Sequence, residues 1–109
     1  MSRPNPVLPS AETLAGNWRL SWDGGGCDIN LSAKPVPMPG PAAGAWDLTM
    51  AAACEGHPAL QRLQAWRPAP DGIDLTDERG RTRLFLSRHE SDVFEAVLTG
   101  GDRIRLTRG

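Results

Sequence analysis

The sequence predicts an all-β protein: a small eight-stranded antiparallel up-and-down barrel with an extended N-terminal arm and a short N-terminal helical turn. Three observations support this fold class. Apolar residues alternate with polar ones in short segments, turn-forming residues separate these segments at nearly even intervals, and almost no stretch has the period of a helix. Because closing eight strands into a barrel removes exposed sheet edges, an up-and-down barrel is the simplest arrangement of such a meander.

The chain has room for one folded domain, since it contains 109 residues. We expect residues 1–9 to form an arm and residues 10–109 to form the barrel. The arm prediction rests on Met1 to Val7, which contain two prolines, no aromatic residue and one aliphatic side chain. Ser10 is a suitable N-cap for a helical turn over residues 11–14, and Gly16 then ends that turn.

The strands are predicted where alternation is clearest. Trp18, Leu20 and Trp22 share one face of the first strand, and a turn leads to a second strand with the same pattern. We expect a loop over residues 34–44, which hold four prolines and two glycines, and a short helix beginning at Pro58. The predicted strand ranges are 17–22, 27–31, 46–50, 64–67, 73–76, 82–87, 93–98 and 103–107.

Composition excludes several classes of function. The formal net charge of −1 gives no overall field toward nucleic acid or a membrane, so the arginines of the last third of the chain are expected to form a solvated face. His57 and His89 are the available neutral-pH bases, with His89 expected at a turn, and no G-x-S-x-G or H-E-x-x-H string accompanies them. We therefore expect neither an enzyme nor a cofactor. The four tryptophans are expected to fill the core, with Trp66 partly exposed and the Arg67 cation across its indole ring.

The two cysteines leave alternatives open. Cys27 and Cys54 are separated by 27 residues, and a disulfide between them would stabilise the fold by roughly 3–4 kcal/mol in the chain-entropy model. Two buried thiols fit the same sequence. A zinc site that combines the cysteines with a histidine is disfavoured, because the usual metal-ligand spacings are absent.

Three short strings occur in a fixed order along the chain: LPSAETLAGNW from Leu8, CDINL from Cys27 and WRPAPDGIDLTDERG from Trp66. Their order and spacing resemble the periplasmic inhibitors of serralysin-type bacterial zinc metalloproteases, which share a Leu-Pro-Ser start, a Gly-x-Trp strand and a Trp-Arg-Pro-x-Pro-x-Gly turn. The resemblance extends from about Leu8 to Leu106. It implies a small eight-stranded barrel and one disulfide, here between Cys27 and Cys54.

The resemblance also implies how such a protein works. The barrel is a platform, and the N-terminal residues enter the active-site cleft of the protease, where the terminal amine approaches the catalytic zinc. Here Ser2 becomes the zinc-directed residue if Met1 is removed. The chain departs from the family in that the positions where members carry two serines are near Pro4 and Asn5. The implied protease-binding residues are Ser2, Arg3, Pro4, Asn5, Pro6, Val7, Leu8, Trp66 and Arg67.

The predicted partner is thus a serralysin-type protease, bound by a monomer in a 1:1 complex in the periplasm. Residues 1–26 contain no apolar run of the kind found in signal peptides, so periplasmic location requires that a leader has been removed. Two alternatives belong to other classes. One is a lipocalin-like carrier of a small apolar ligand, and the other is an adaptor domain of an outer-membrane lipoprotein.

Overall fold

The computed structural model describes residues 10–37 and 44–108. Within these residues eight antiparallel strands follow one another around a closed barrel, and the last strand pairs with the first. The predicted up-and-down barrel is confirmed. The elements are α1 (Ala11–Leu14), β1 (Gly16–Trp22), β2 (Gly25–Val36), β3 (Ala45–Met50), two 3₁₀ helices (Ala52–Gly56 and Pro58–Leu60), β4 (Ala65–Ala69), β5 (Gly72–Thr76), β6 (Thr82–Glu90), β7 (Val93–Val97) and β8 (Arg103–Arg108).

Because neighbouring strands are antiparallel, successive connections lie at alternate ends of the barrel. We call one end the helix end; it carries α1 and the turns at residues 70–71 and 91–92. The other, the distal end, carries the turns at 23–24, 77–81 and 98–102 together with the connection of residues 51–64 that contains both 3₁₀ helices. The two ends therefore present different surfaces.

Large apolar side chains fill the barrel interior. Trp18, Trp66 and Phe94 are each at most 1% exposed, and the rings of Trp18 and Phe94 meet edge to face with centroids 5.7 Å apart. Trp22 and Trp46 are partly buried against this core, so the prediction that the tryptophans are core residues is confirmed. An interior filled in this way argues against the ligand-carrier alternative.

Strand β2 is longer than the sequence predicts. It continues to Val36, so the expected loop over residues 34–44 is wrong at its start. The pairing of β2 with β3 shifts between Leu31 and Pro35, as at a β-bulge. A proline is tolerated at such an irregularity because the regular ladder that would need its N–H is already interrupted.

The short helix predicted to begin at Pro58 is present as the 3₁₀ helix Pro58–Leu60. A further 3₁₀ helix, Ala52–Gly56, precedes it and was not predicted. One other boundary differs from the predictions. Strand β6 extends to Glu90, so His89 lies within a strand and not at the start of a turn. No helix in the described residues is long and apolar enough to cross a membrane.

Cys27 and Cys54 form a disulfide, with their Cα atoms 5.2 Å apart. The bridge confirms the pairing implied by the family resemblance and removes the thiol and zinc alternatives. It joins β2 to the first 3₁₀ helix, and both cysteines are at most 1% exposed. The bridge therefore anchors the distal connection, residues 51–64, to the barrel wall.

We predict that replacing both cysteines by alanine lowers the free energy of unfolding by about 3–4 kcal/mol, because the unfolded chain regains the freedom of a 27-residue loop. The melting temperature should fall by roughly 10–20 °C in a domain of this size, measured by tryptophan fluorescence. Reduction of the unaltered protein is the matched test. Equal melting temperatures before and after reduction would contradict the prediction.

The turn between β5 and β6 is organised by Asp77. Its Oδ1 accepts hydrogen bonds from the backbone N–H groups of Arg79 at 2.8 Å and Arg81 at 3.1 Å. Partial burial acts to raise the pKa of Asp77, but these two hydrogen bonds and the positive charges of Arg83 and Arg81 outweigh it and hold the pKa below its ordinary value of 3.8. The ionised carboxylate is thus the form that the folded turn favours.

Because the folded-state pKa is lowered, the stabilisation by Asp77 is complete above its ordinary pKa and is lost as the pH falls through the folded value. We predict that Asp77→Ala destabilises the protein at pH 7 and that its deficit relative to the unaltered protein shrinks below pH 3.8. Urea unfolding at several pH values measures this. Asp77→Asn keeps an acceptor oxygen without the charge and should show a smaller deficit at pH 7; a deficit for Asp77→Ala that grows in acid would contradict the assignment.

Candidate functional site

The described chain begins at the helix end, where α1 sits on the barrel. Ser10 caps this helix as predicted, since its Oγ accepts a hydrogen bond from the Thr13 N–H at 3.2 Å and contacts the Thr13 hydroxyl at 2.7 Å. Ala11 and Leu14 are each 3% exposed and belong to the barrel core. The point from which the preceding residues extend is therefore held by capping on one side and by core packing on the other.

The C-terminal end of α1 is held by two side chains of the barrel. A helix of four residues leaves its last carbonyl groups without helical partners. Trp18 Nε1 donates to the Leu14 carbonyl at 2.8 Å, while the Arg108 guanidinium donates to the carbonyls of Thr13 and Ala15 at 3.0 Å each. Strands β1 and β8 thus supply the donors that the short helix lacks.

Arg108 is the last residue of β8 and makes further contacts at the same place. Its guanidinium carbon lies 4.1 Å from the centroid of the Trp18 ring, and its Nη2 is 3.3 Å from Asp92 Oδ1. Its side chain is 33% exposed. Cation–π contact, an ion pair and several carbonyl acceptors therefore converge on one residue.

Sequence reasoning assigned Arg108 to a solvated arginine face; the residue is exposed as expected, but its guanidinium also binds α1, which the sequence reasoning missed. Arg108 has the same strand parity as the buried Ile104 and Leu106, and it pairs in register with the inward-facing Trp18. That parity is the signal in the sequence that could have identified it. The expectation of a solvated face also holds for Arg81, Arg83, Arg103 and Arg105, which are exposed.

Most of the predicted protease-binding residues lie outside the described part of the chain. They are Ser2, Arg3, Pro4, Asn5, Pro6, Val7 and Leu8. Their predicted role stays a prediction. The structure bears on the other two, Trp66 and Arg67.

Trp66 is fully buried, with 0% exposure, so its expected partial exposure is wrong. Its ring packs against Trp46 with centroids 6.1 Å apart, and its Nε1 donates to the Ser32 carbonyl at 2.9 Å. Ser32 lies in the irregular stretch of β2, between Leu31 and Pro35. The indole therefore satisfies a backbone group where the strand pairing is interrupted.

The Arg67 side chain also binds groups within the barrel and is mostly buried. Its Nη2 donates to the Gly80 carbonyl at 2.9 Å and lies 3.6 Å from Asp74 Oδ2, with the Arg67 side chain 13% exposed. The expected position of the cation across the Trp66 ring is therefore wrong. The guanidinium instead joins β4 to β5 and to the turn that follows β5. Asp74 Oδ2 also accepts from the Thr82 hydroxyl, whereas the buried Asp74 Oδ1 has no partner.

Gly72 has a packing role in the same segment. A Cβ atom at this position would lie 2.3 Å from the Leu86 carbonyl oxygen and 2.7 Å from the Phe85 ring. The close approach of β5 and β6 therefore requires glycine. The Trp-Arg-Pro-x-Pro-x-Gly string accordingly marks a packed segment of the barrel wall at Trp66, Arg67 and Gly72.

The two histidines, His57 and His89, lie in different environments. His57 Nδ1 accepts from the Ala59 N–H at 3.1 Å at the start of the second 3₁₀ helix, and its ring meets Trp22 with centroids 5.2 Å apart. His89 is exposed on β6. Within residues 10–37 and 44–108, no group of three or more His, Cys, Asp or Glu residues is arranged to hold a metal ion.

Fold and site together define a class of protein: a small closed β-barrel whose helix end fixes the root of an N-terminal segment. The chain belongs to the protease inhibitor Inh family, whose model matches residues 8–108. The match begins at the Leu-Pro-Ser element and covers every described residue.

Similar proteins agree with this family. An alkaline proteinase inhibitor of Pseudomonas syringae pv. tomato is 33% identical over 104 residues, which is 93% of this chain and 74% of that protein. A proteinase inhibitor of Dickeya chrysanthemi is 35% identical over 94 residues, covering 86% of this chain and 73% of the relative. The crystal structure of a psychrophilic marine protease MP inhibitor has the same fold, with a TM-score of 0.69 at 24% identity over 93% of this chain and 100% of that chain. Membership in a family of protease inhibitors means that the chain is not an enzyme.

We predict that Arg108→Met, which keeps an apolar stem but removes the donors, destabilises the protein by about 1 kcal/mol because the Thr13 and Ala15 carbonyls lose charge-assisted hydrogen bonds at the end of α1. It should also speed hydrogen exchange of the Ala15 N–H, which bonds to the Ala11 carbonyl in α1. Denaturant unfolding and amide exchange followed by NMR measure the two effects.

Arg103→Met is the matched control for this test. Arg103 lies on the same strand, but its side chain is 67% exposed and its ion pair with Glu95 is 3.7 Å long. Its replacement should change stability by less than about 0.5 kcal/mol. Equal losses for the two variants, or unchanged exchange of Ala15 in Arg108→Met, would contradict the anchoring role.

Proposed function

We propose that this protein inhibits a secreted zinc endopeptidase of the serralysin type by placing its N-terminal segment in the active-site cleft. Family membership establishes the general class, protease inhibition. The choice of protease rests on the resemblance of the Leu8, Cys27 and Trp66 strings to serralysin inhibitors. One observation carries the proposed mechanism: the root of the N-terminal segment is fixed to the barrel at α1.

This anchoring matters because a binding segment loses conformational freedom when it enters a cleft. Ser10 caps α1, the buried Leu14 holds the helix against the core, and Arg108 fixes its far end. The barrel thereby limits where the preceding residues begin. Residues 1–7 span up to about 23 Å if fully extended at ~3.3 Å per residue, a length suited to an enzyme cleft.

The sequence of the segment suits the same role. Pro4 and Pro6 restrict the backbone, which lowers the ordering cost on binding and disfavours cleavage. Catalytic zinc sites keep a coordination position for water or substrate, and nitrogen or oxygen groups bind there. We propose that the α-amine of Ser2, freed by removal of Met1, takes this position on the protease's zinc, with Arg3 following it.

A second contact is proposed at the turn that follows β4. Because Trp66 and Arg67 are directed into the barrel, they act here by supporting the turn and not through exposed side chains. Pro70 and Asp71 are exposed at the helix end, and the Asp71 carbonyl accepts from the Arg88 N–H at 2.8 Å, which holds the turn in place. This turn is suited to touch the rim of the cleft while the N-terminal segment occupies its floor.

We further propose that the protein acts in the periplasm as a monomer that binds one protease molecule. The Cys27–Cys54 disulfide supports this location, because such bridges persist in oxidising compartments. An inhibitor held there would protect the producing cell from its own protease before secretion.

The N-terminal segment is tested by comparing two chains, the full protein after Met1 removal and a chain that begins at Leu8. Both are titrated against a serralysin-type protease with a quenched peptide substrate. We expect the shorter chain to bind at least 100-fold more weakly, which corresponds to about 2.7 kcal/mol of lost binding free energy. Both should melt at similar temperatures, because the deleted residues precede α1 and its cap.

A matched control isolates the terminal amine. Acetylation of Ser2 leaves every side chain in place but removes the amine's ability to bind zinc, and it should also weaken inhibition. A serine protease serves as the specificity control and should be unaffected. Equal inhibition by the full and shortened chains would overturn the proposed role of the segment, while inhibition of the serine protease alone would overturn the choice of target.

A further inference from the structure

Within the described residues, four arginines that form no ion pair lie together at the distal end, away from α1. A cavity of about 480 Å³ opens there between the connection of residues 51–64 and the turn between β5 and β6. We call it the arginine cleft. Its charged lining residues are Arg62, Asp77, Glu78, Arg79, Arg81 and Arg83.

The cleft arginines differ from most other arginines of the described chain in having no ion pair; outside the cleft, Arg88 is the one described arginine that also lacks one. Five arginines elsewhere have a carboxylate oxygen within 3.7 Å: Arg19, Arg67, Arg103, Arg105 and Arg108. Among residues 10–37 and 44–108, none of the four cleft arginines forms an ion pair. Their guanidinium groups are therefore free to bind an external anion.

The acidic residues of the cleft do not neutralise this charge. Four arginines and two acids leave a local net charge of +2, although the chain as a whole carries −1. Asp77 Oδ1 is occupied by the backbone N–H groups of Arg79 and Arg81. Asp77 thus shapes the turn that presents the arginines. Like charges held together in this way repel one another, and a bound anion would relieve that repulsion.

Both walls of the cleft are fixed before any ligand arrives. The wall that carries Arg62 is anchored by the Cys27–Cys54 disulfide and by Leu60, which is fully buried. Arg62 itself has a backbone φ of 66°, a conformation that places a non-glycine residue in the left-handed region. The opposite wall is held by the Asp77 turn and by the hydrogen bond from Arg67 to the Gly80 carbonyl. A preformed site loses little conformational entropy on binding.

We propose that the arginine cleft binds a small ligand carrying two or more phosphate groups. Planar guanidinium groups bind phosphate oxygens in pairs, and several at one site favour a multivalent anion over a single charge. A cavity of about 480 Å³ fits a small molecule. The chain's net charge of −1 disfavours an extended polyanion such as nucleic acid or a membrane surface, which would also meet the acidic regions of the protein. The site is independent of the proposed protease contact, because it lies at the opposite end of the barrel.

The test uses sodium triphosphate as the probe, with the full protein in a buffer of constant ionic strength. NMR amide shifts and isothermal titration calorimetry measure binding. We expect saturable shifts at the amides of Arg62, Arg79, Arg81 and Arg83 and a rise in melting temperature with triphosphate concentration, since a ligand of the folded state stabilises it. Titration with sodium chloride controls for ionic strength.

Arg81→Gln with Arg83→Gln removes two cleft charges, and Arg103→Gln with Arg105→Gln removes two charges from β8 as the matched control. The cleft pair should weaken triphosphate binding at least tenfold, whereas the control pair should change it by less than twofold. Circular dichroism confirms that each variant is folded. If a variant fails to fold, the positions of the shifts in the unaltered protein decide between the cleft and other surfaces.

Three results would overturn the proposal. One is an equal loss of affinity in both double variants, which would indicate a general charge effect. Another is the absence of saturable shifts at the cleft when triphosphate is added. The last is binding to vesicles rich in anionic phospholipid without binding of free triphosphate, which would identify a membrane surface and not a small phosphate ligand.

Discussion

The structure of the helix end depends on one constraint: the carbonyl groups at the end of a four-residue helix must find donors. Trp18 and Arg108 supply them, and the two residues face each other in the register where the barrel closes. If β1 and β8 did not meet in this register, α1 would have neither its donors nor its place over the core. Barrel closure and the position of the N-terminal segment are thus consequences of the same pairing.

The residues of the family string that begins at Trp66 also have structural roles. Trp66 provides core volume and a donor to the irregular part of β2, Arg67 joins two strands to a turn, and Gly72 allows two strands to approach closely. These are requirements of folding. The residues of this string therefore stabilise the barrel. In the proposed function, contact with a protease depends on the exposed turn and the N-terminal segment that the barrel supports.

The two ends of the barrel divide the proposed roles between them. The helix end has little unpaired charge on its anchoring residues, since Arg108 is paired with Asp92 and surrounded by carbonyl acceptors. The distal end instead concentrates four arginines that form no ion pair in the described chain, one on the connection held by the disulfide and three on the β5–β6 turn and the start of β6. An antiparallel barrel permits this separation because successive connections alternate between its two ends. Turns that are close in sequence therefore lie at opposite ends of the barrel.

Much of the fold follows from local pattern. Alternation at Trp18, Leu20 and Leu31 predicts inward faces, because side-chain direction in a strand has a period of two. Turn residues such as Asp71 and Gly80 predict where strands are interrupted. The family strings add the disulfide and the inhibitor class. The role of the N-terminal residues Ser2 to Leu8 stays a prediction.

Other features depend on contacts between residues far apart in sequence, which no local pattern contains. Strand β2 continues past Pro35 because a bulge interrupts its ladder with β3 where the proline lacks an N–H. The buried indole N–H of Trp66 has an acceptor in the barrel, the Ser32 carbonyl. Arg108 binds α1 because closure of the barrel brings it to Ala15, 93 residues earlier in the chain. The two-residue period of a strand predicts which side chains share a face. Only the closed tertiary structure decides which residues that face contacts.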